Sequence, residues 1–223
     1  MRINRWHVCI LLLMTLSMLS GCVEKSSVLM DDSTCQYPCW LNIIPGQTSF
    51  AQSVEIVSKS LLFDTNRFSP TPGQIVEEYG YSSWLFIKNV RELGLTIYDI
   101  DGYVVLLDFA INRNIQIEEM INYYGEPQYI SVISGTEDTR WLDVSWIFPS
   151  KGVVISLFDP WWKPEGEFAR ISPELDVSYV YYFNPEDYEL LMEKEMLVHN
   201  TQDIVIKSIQ PWDGYGLFSY VEE

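Results

Sequence analysis

The dipeptide Asp101-Gly102 stands between two apolar runs, Leu95–Ile100 and Tyr103–Phe109. A two-residue type I′ turn needs positive φ at both central residues, which Asp-Gly supplies at little steric cost. The chain must therefore reverse here, and the flanking runs become an antiparallel hairpin. A further apolar run, Trp84–Val90, precedes them as a third strand. Ahead of all three, Phe50, Val54, Val57 and Leu61 fall at i, i+4, i+7 and i+11, the stripe of an amphipathic helix. Thr48 or Ser49 can cap that helix, Ser49 with Gln52 fits a capping box, and Pro45-Gly46 supplies the preceding turn. Between helix and strands, SPTPG at residues 69–73 breaks the chain, and Gln74–Tyr79 is at most a short helix.

The order then recurs. Ile117, Met120, Ile121 and Tyr124 mark a second helix, with Gly125 placed for a left-handed cap and Pro127 blocking continuation. Three more strands follow, Gln128–Ile133, Arg140–Phe148 and Val153–Phe158, the last two joined by a turn at Pro149-Ser150-Lys151-Gly152. These elements predict an α+β fold of two similar units, each a helix plus antiparallel β-sheet, over residues 40–110 and 111–183. Their last strand is Val177–Phe183. Residues 184–223 add a C-terminal helix, capped by Asn184 with Pro185 at its first position, and a strand at Asp203–Ile209.

The N-terminus constrains location. Arg2 and Arg5 precede an apolar run, and small residues lead to Cys22, the layout of an export signal. Leu19-Ser20-Gly21-Cys22 resembles the lipobox of bacterial lipoproteins. That resemblance implies a signal peptide over residues 1–21, cleavage before Cys22, and diacylglycerol, usually with an added acyl chain such as palmitate, on the mature terminus. The apolar run Val8–Leu19 is short for a membrane span, whereas two or more acyl chains anchor stably. Residues 22–34, polar and aperiodic, read as a flexible tether of roughly 20 Å, and residues 35–223 as the α+β domain. The expected location is the cell membrane or outer membrane, lipid-anchored, on the extracytoplasmic face.

Charge narrows the partners. The chain carries a formal −17; loss of the signal leaves twelve basic against thirty-one acidic residues, or −19. Nucleic-acid affinity comes largely from Lys and Arg displacing counterions, so this surface excludes it. Anionic headgroups are repelled too, which leaves the acyl chains as the membrane contact. With 48% hydrophobic and 14% aromatic residues the chain can still form a core.

With Cys9 in the signal and Cys22 lipidated, Cys35 and Cys39 remain as a pair in a compartment that permits disulfides. A metal site is the rival reading. The spacing C-x-x-x-C gives two ligands, and His199 is the only histidine of the mature chain, so a four-ligand zinc site lacks material. His199 itself reads as a favourable cation at a helix terminus rather than a catalytic base.

No phosphate-cradling loop or zinc-protease motif occurs. Adjacent acids such as Glu118-Glu119 and Asp187/Glu189 point apart on a helix. The sequence thus indicates no catalytic residue, no metal and no cofactor beyond the covalent lipid. The aromatic clusters Trp161-Trp162 and Trp212-Asp213-Gly214-Tyr215 are the candidate binding residues; they can stack on a sugar, anchor a partner, or cover the open ends of a sheet.

Pro45-Gly46-Gln47-Thr48 before the first helix resembles the G-x-T helix start of small outer-membrane lipoproteins of the SmpA/OmlA (BamE-like) group. Gly125-Glu126-Pro127 resembles the G-x-P exit of the same group, and the tandem β-lactamase inhibitor protein is the similar architecture. Each half carries only one of the two motifs. The resemblance implies an anchored, non-catalytic module that binds another envelope protein. The alternatives are carbohydrate or cell-wall binding through the tryptophan loops, and a hydrolase using an unrecognised carboxylate pair.

Anchoring has a direct check. Cells expressing the chain should incorporate labelled fatty acid into it, and Cys22→Ser should abolish both the label and recovery in the membrane fraction.

Overall fold

The computed structural model describes residues 35–60, 82–87, 93–111, 115–136, 141–162, 166, 168–194, 196–197 and 202–222. The signal, Cys22, the tether, the Gln74–Tyr79 segment and His199 lie outside them.

The first helix, α1 (Phe50–Lys59), begins as its sequence demands. Ser49 Oγ accepts from Gln52 N–H while Gln52 Oε1 accepts from Ser49 N–H, closing the capping box. Before it, Thr48 Oγ1 accepts from Ile44 N–H at 2.8 Å. This turn is sewn to the hairpin formed by β2 (Leu93–Ile100) and β3 (Tyr103–Ile111): Gly46 N–H donates to Val104 O, Val104 N–H to Thr48 O, and Phe50 N–H to Gly102 O. Asp101 and Gly102 have φ of 52° and 81°, the two positive values the hairpin turn requires. The inward face of α1 differs from the expected stripe. Ser53 and Val57 are buried, while Phe50 and Val54 are half-buried.

β1 (Ser82–Ile87) pairs with β2, completing the first meander. The second helix, α2 (Ile117–Tyr124), buries the four apolar residues that marked it. Gly125 ends it with φ of 83° and an extended ψ of −174°, so the cap is a positive-φ glycine outside the left-handed helical region. A second meander follows: β4 (Tyr129–Ser134), β5 (Leu142–Phe148) and β6 (Val153–Asp159). Next come β7 (Phe168–Ile171) and β8 (Tyr179–Phe183). Asn184 Oδ1 accepts from Glu186 N–H, and a 3-10 turn at Pro185–Asp187 leads into α3 (Tyr188–Glu193).

The predicted strand at Asp203–Ile209 is a correction. Gln202–Ser208 forms a helix, α4, and only Ile209 enters a strand, β9 (Ile209–Pro211). The β-branched run favours a strand locally, but tertiary contacts prevail: Val205 and Ser208 are buried on one helical face, and Ser208 Oγ bonds Ser131 Oγ of β4 at 2.6 Å. Two further short strands, β10 (Gly216–Ser219) and β11 (Val221–Glu222), follow where the sequence marked no element.

Among the described residues nine strands form one sheet, ordered β1-β2-β3-β8-β6-β5-β4-β11, with β9 also on β4. The helix-then-three-strand order occurs twice, and the two meanders share this sheet through β8, which is antiparallel to both β3 and β6. A separate ribbon pairs β7 with β10.

Alternation sorts the sheet's side chains to two faces. One carries a run of buried rings: Trp40 on Phe109 at 5.0 Å, Phe109 on Tyr182 at 5.3 Å, and Tyr124 between Tyr182 and Phe148. The hydroxyls of Tyr124 and Tyr182 bond each other, so neither is buried without a partner. The opposite face packs Leu106, Ile133, Ile147, Val154, Tyr181 and Phe183 beneath Leu191, Leu197 and Val205 of the C-terminal helical segment.

The β5–β6 turn rests on Gly152, whose φ of 64° is left-handed; a Cβ there would lie 2.0 Å from Phe183 O. At Gly102, φ is also positive but nothing lies within 4 Å of a Cβ. Gly102→Ala should therefore cost about 1 kcal/mol, the left-handed penalty alone. Gly152→Ala should cost about 3 kcal/mol or more in urea denaturation, because strand β8 must also move.

Candidate functional site

The C-terminal segment gathers most of the sequence's binding candidates. β9 pairs with β4, and Trp212 N–H then donates to Gln128 O at 3.3 Å, which sets Trp212 at the junction of α2 and β4. Its indole N–H donates to Glu126 Oε2 at 2.6 Å, the middle residue of the Gly125-Glu126-Pro127 exit. The ring stacks on Phe218, with centroids 5.7 Å apart and planes 4° from parallel, and meets Tyr215 edge-on at 5.4 Å. Burial, and then the charges of Glu118, Glu126 and Glu174, push the Tyr215 hydroxyl above its usual range. The Glu126 carboxylate is thus bonded to an aromatic cluster on which the charges of Glu118 and Glu174 also act.

The other tryptophan pair reaches the same C-terminal strand. Trp162 meets the Tyr220 ring edge-on at 5.5 Å, and Tyr220 Oη donates to Gly166 O at 2.6 Å. Phe218 and Tyr220 are two residues apart, so both tryptophan loops are fastened along one stretch of chain. Trp161 is not fastened: it is 84% exposed, and Asp159 Oδ1 accepts its backbone N–H.

The β7–β10 ribbon has two unlike sides. Ala169, Ile171 and Phe218 are buried, while Phe168, Arg170, Leu217 and Ser219 face outward. Leu217 is 61% and Phe168 49% exposed, and the two sit on adjacent strands in register with Arg170 and Ser219. Sequence reading named Trp161, Trp162, Trp212 and Tyr215 but not Phe168 or Leu217. Their alternation in F-A-R-I and G-L-F-S was the available signal, too short to separate from loop.

Cys35 and Cys39 form a disulfide with Cα atoms 5.6 Å apart, immediately before buried Trp40. Among the described residues no group of three or more His, Cys, Asp or Glu side chains is placed to hold a metal. No described helix is long and apolar enough to cross a membrane. An open groove of about 500 Å³ runs beside α1, lined by Ile44, Thr48, Gln52, Ile56 and the Glu55–Lys59 ion pair.

Two carboxylates inside strands, Asp143 buried and Asp108 half-buried, escaped sequence reading. Asp108 on β3 pairs across the ladder with Tyr181, and Asp143 on β5 pairs with Ile133. Asp143 is 3% exposed. Burial raises each carboxyl to about 7, against hydrogen bonds from Tyr98 to Asp108 and from Ser145 to Asp143. Each is a charge interrupting an apolar strand, VVLLDFAI and LDVSWIF, which is the signal that could have found it.

A scan against protein-family models and searches of curated proteins and of solved structures return no match to this chain.

The two acids set a pH dependence. Their folded values lie above the ordinary 3.8, so folding takes up protons between roughly pH 4 and 7. The stability they contribute is fully present below that interval and is lost as pH rises through 7. Three units is on the order of 4 kcal/mol per group. The urea midpoint should therefore fall between pH 5 and 8, and Asp143→Asn should flatten that slope.

Proposed function

We propose that this protein is a lipid-anchored extracytoplasmic lipoprotein that acts as a non-catalytic binding module for another envelope protein. Cys22 carries the anchor, and no cofactor beyond that lipid is required. The observation that carries the binding role is the β7–β10 ribbon. It uses one side for packing and presents Phe168 and Leu217 on the other. Exposed apolar side chains grouped on a rigid element, rimmed by polar residues, mark interaction surfaces.

Charge specifies the partner's chemistry. A body of formal charge −17, with Glu118, Glu126 and Glu174 around the adjoining Tyr215, fits a partner whose apolar pocket has a basic rim. Two helix-plus-meander units on one sheet are in keeping with the role implied by the likeness to BamE-like lipoproteins and the tandem inhibitor. A hydrolase is disfavoured because Asp143, more enclosed than Asp108 on the same sheet face, is only 3% exposed, and a carboxylate pair would need both to reach a substrate. Carbohydrate binding is the second reading, favoured by Trp161 alone. Trp162 and Trp212 already spend a ring face or edge on Tyr220, Phe218 and Tyr215.

A photocrosslinking residue placed at Leu217 or at Trp161 in intact cells should yield a protein adduct. The same residue at exposed Ile206 of α4 should not. Adduct yield should fall about tenfold with Phe168→Asp and should drop in high salt, as a charge-steered interface requires. A glycan adduct at Trp161 would favour the second reading, and equal labelling at Ile206 would remove the ribbon as the interface.

A further inference from the structure

Between β9 and β10 the chain passes the end of α2, and there it builds a corner from two rings and a carboxylate. Trp212 stacks on Phe218 of the ribbon with centroids 5.7 Å apart, and its indole N–H donates to Glu126 Oε2 at 2.6 Å. The Tyr215 ring stands at 88° to the indole, with centroids 5.4 Å apart. Tyr215 is 40% exposed, Trp212 is half-buried and Glu126 is exposed. The two rings therefore meet at a right angle beside a carboxylate that one of them holds in place.

Further acids come from the start of α2. Glu118 N–H donates to Pro173 O at 3.2 Å and Ile117 N–H to Leu175 O at 2.8 Å, which ties the Glu174 loop to the first turn of the helix. Glu118 and Glu174 are both exposed, and their charges act with that of Glu126 on the Tyr215 hydroxyl. Lys151 approaches Gly125, but its ammonium donates to Tyr124 O and lies over the Phe148 ring. The corner thus presents aromatic surface and carboxylates together, on a chain of formal charge −17. Both kinds of group attract a cation, the ring through its quadrupole and the carboxylate through its charge.

We infer that the Trp212–Tyr215 corner receives an arginine side chain of the protein partner, its guanidinium lying on the Tyr215 ring and donating to Glu126. Arginine suits the corner better than lysine. Its planar group stacks on a ring, and its five N–H donors form a fork that reaches more than one carboxylate oxygen. Lysine offers only a compact, strongly hydrated point charge. Glu126 Oε2 is engaged by the indole, which fixes the carboxylate and leaves Oε1 to accept from the guanidinium. The inference rests on the proposed binding role and names the group in the partner's basic rim that this protein selects. The ribbon supplies apolar contact, and the corner beside it supplies selection by charge and shape.

NMR titration of the full-length protein in uncharged detergent micelles, isotope-labelled at the tryptophan nitrogens, tests it, with Trp212→Phe locating the Trp212 indole signal. The tripeptide acetyl-Gly-Arg-Gly-amide should shift that signal saturably, with a Kd on the order of millimolar, as one exposed ring and carboxylate contact allows. The citrulline peptide, equal in shape but uncharged, should bind at least about tenfold more weakly, and the lysine peptide about threefold more weakly. Glu126→Gln keeps an oxygen for the indole N–H and should weaken the arginine peptide about threefold, and Tyr215→Leu about tenfold. In cells, Tyr215→Leu should cut the photoadduct formed from Leu217 at least about threefold. Absence of any wild-type adduct at Leu217 counts against the ribbon as the interface, whereas the titration judges the corner by itself. The arginine site is overturned by a Trp212 signal that does not move, or by citrulline or lysine peptides that bind as tightly as the arginine peptide. It is equally overturned if both substitutions leave the arginine Kd unchanged, or if Tyr215→Leu leaves the Leu217 adduct at the wild-type yield.

Discussion

Strand β8 pairs with β3 along one edge and with β6 along the other, and it is the only described link between the two meanders in the sheet. Without it the described sheet would fall into two pieces, β1-β2-β3 and β6-β5-β4 with β9 and β11, each with an open edge. Its five residues, YVYYF, serve both faces at once. Val180 and Tyr182 join the buried rings that run from Trp40 to Phe148, and Tyr181 and Phe183 form the floor of the helical cover. Fully burying side chains of this size contributes roughly 2–3 kcal/mol each. The two faces are thus coupled through one short element. Gly152, pressed against Phe183 O, fixes where that element can lie.

The local pieces were legible because local chemistry determined them. Asp101-Gly102 could only be a hairpin turn, Ser49 and Gln52 only a capping box, and Ile117 to Tyr124 carried their periodicity into a buried face. The repeated helix-then-three-strand order was legible for the same reason. The shared sheet was not, since β8 reaches its place from a distant stretch of chain and no spacing records that pairing. Asp203–Ile209 failed differently. Its Ile and Val residues favour a strand, but β4 already has β9 and β11 beside it, and Val205 and Ser208 find burial as one face of a helix. The likeness to BamE-like lipoproteins rested on turn residues, and turns state where a helix begins without stating what it packs against.

The candidate site shows the same division. Sequence reading grouped the tryptophans by type, but their roles depend on the neighbours the fold gives them. Trp212 is held by Glu126 and Phe218, Trp162 by Tyr220, and only Trp161 is turned outward. The counted cysteines needed no fold: Cys35 and Cys39 remained after the others had been assigned, and they are bridged. Asp108 and Asp143 were passed over because sequence reading took acids as surface residues. An acid inside a strand that is apolar on both sides deserved the opposite expectation, because its backbone position denies it water.

These buried acids bear on the charge of the whole molecule. A surface with so large an excess of carboxylates destabilises its own compact state by self-repulsion, and more so at low ionic strength. Two further negative charges inside the fold would add to that repulsion at short range and low dielectric, where screening by salt is weak. Holding Asp108 and Asp143 neutral below pH 7 keeps the interior out of that sum. The ribbon that carries the binding proposal pairs only with itself, and none of its residues belongs to the core under the C-terminal helices. The fold therefore keeps its interior carboxylates apart from the outward apolar side of the ribbon.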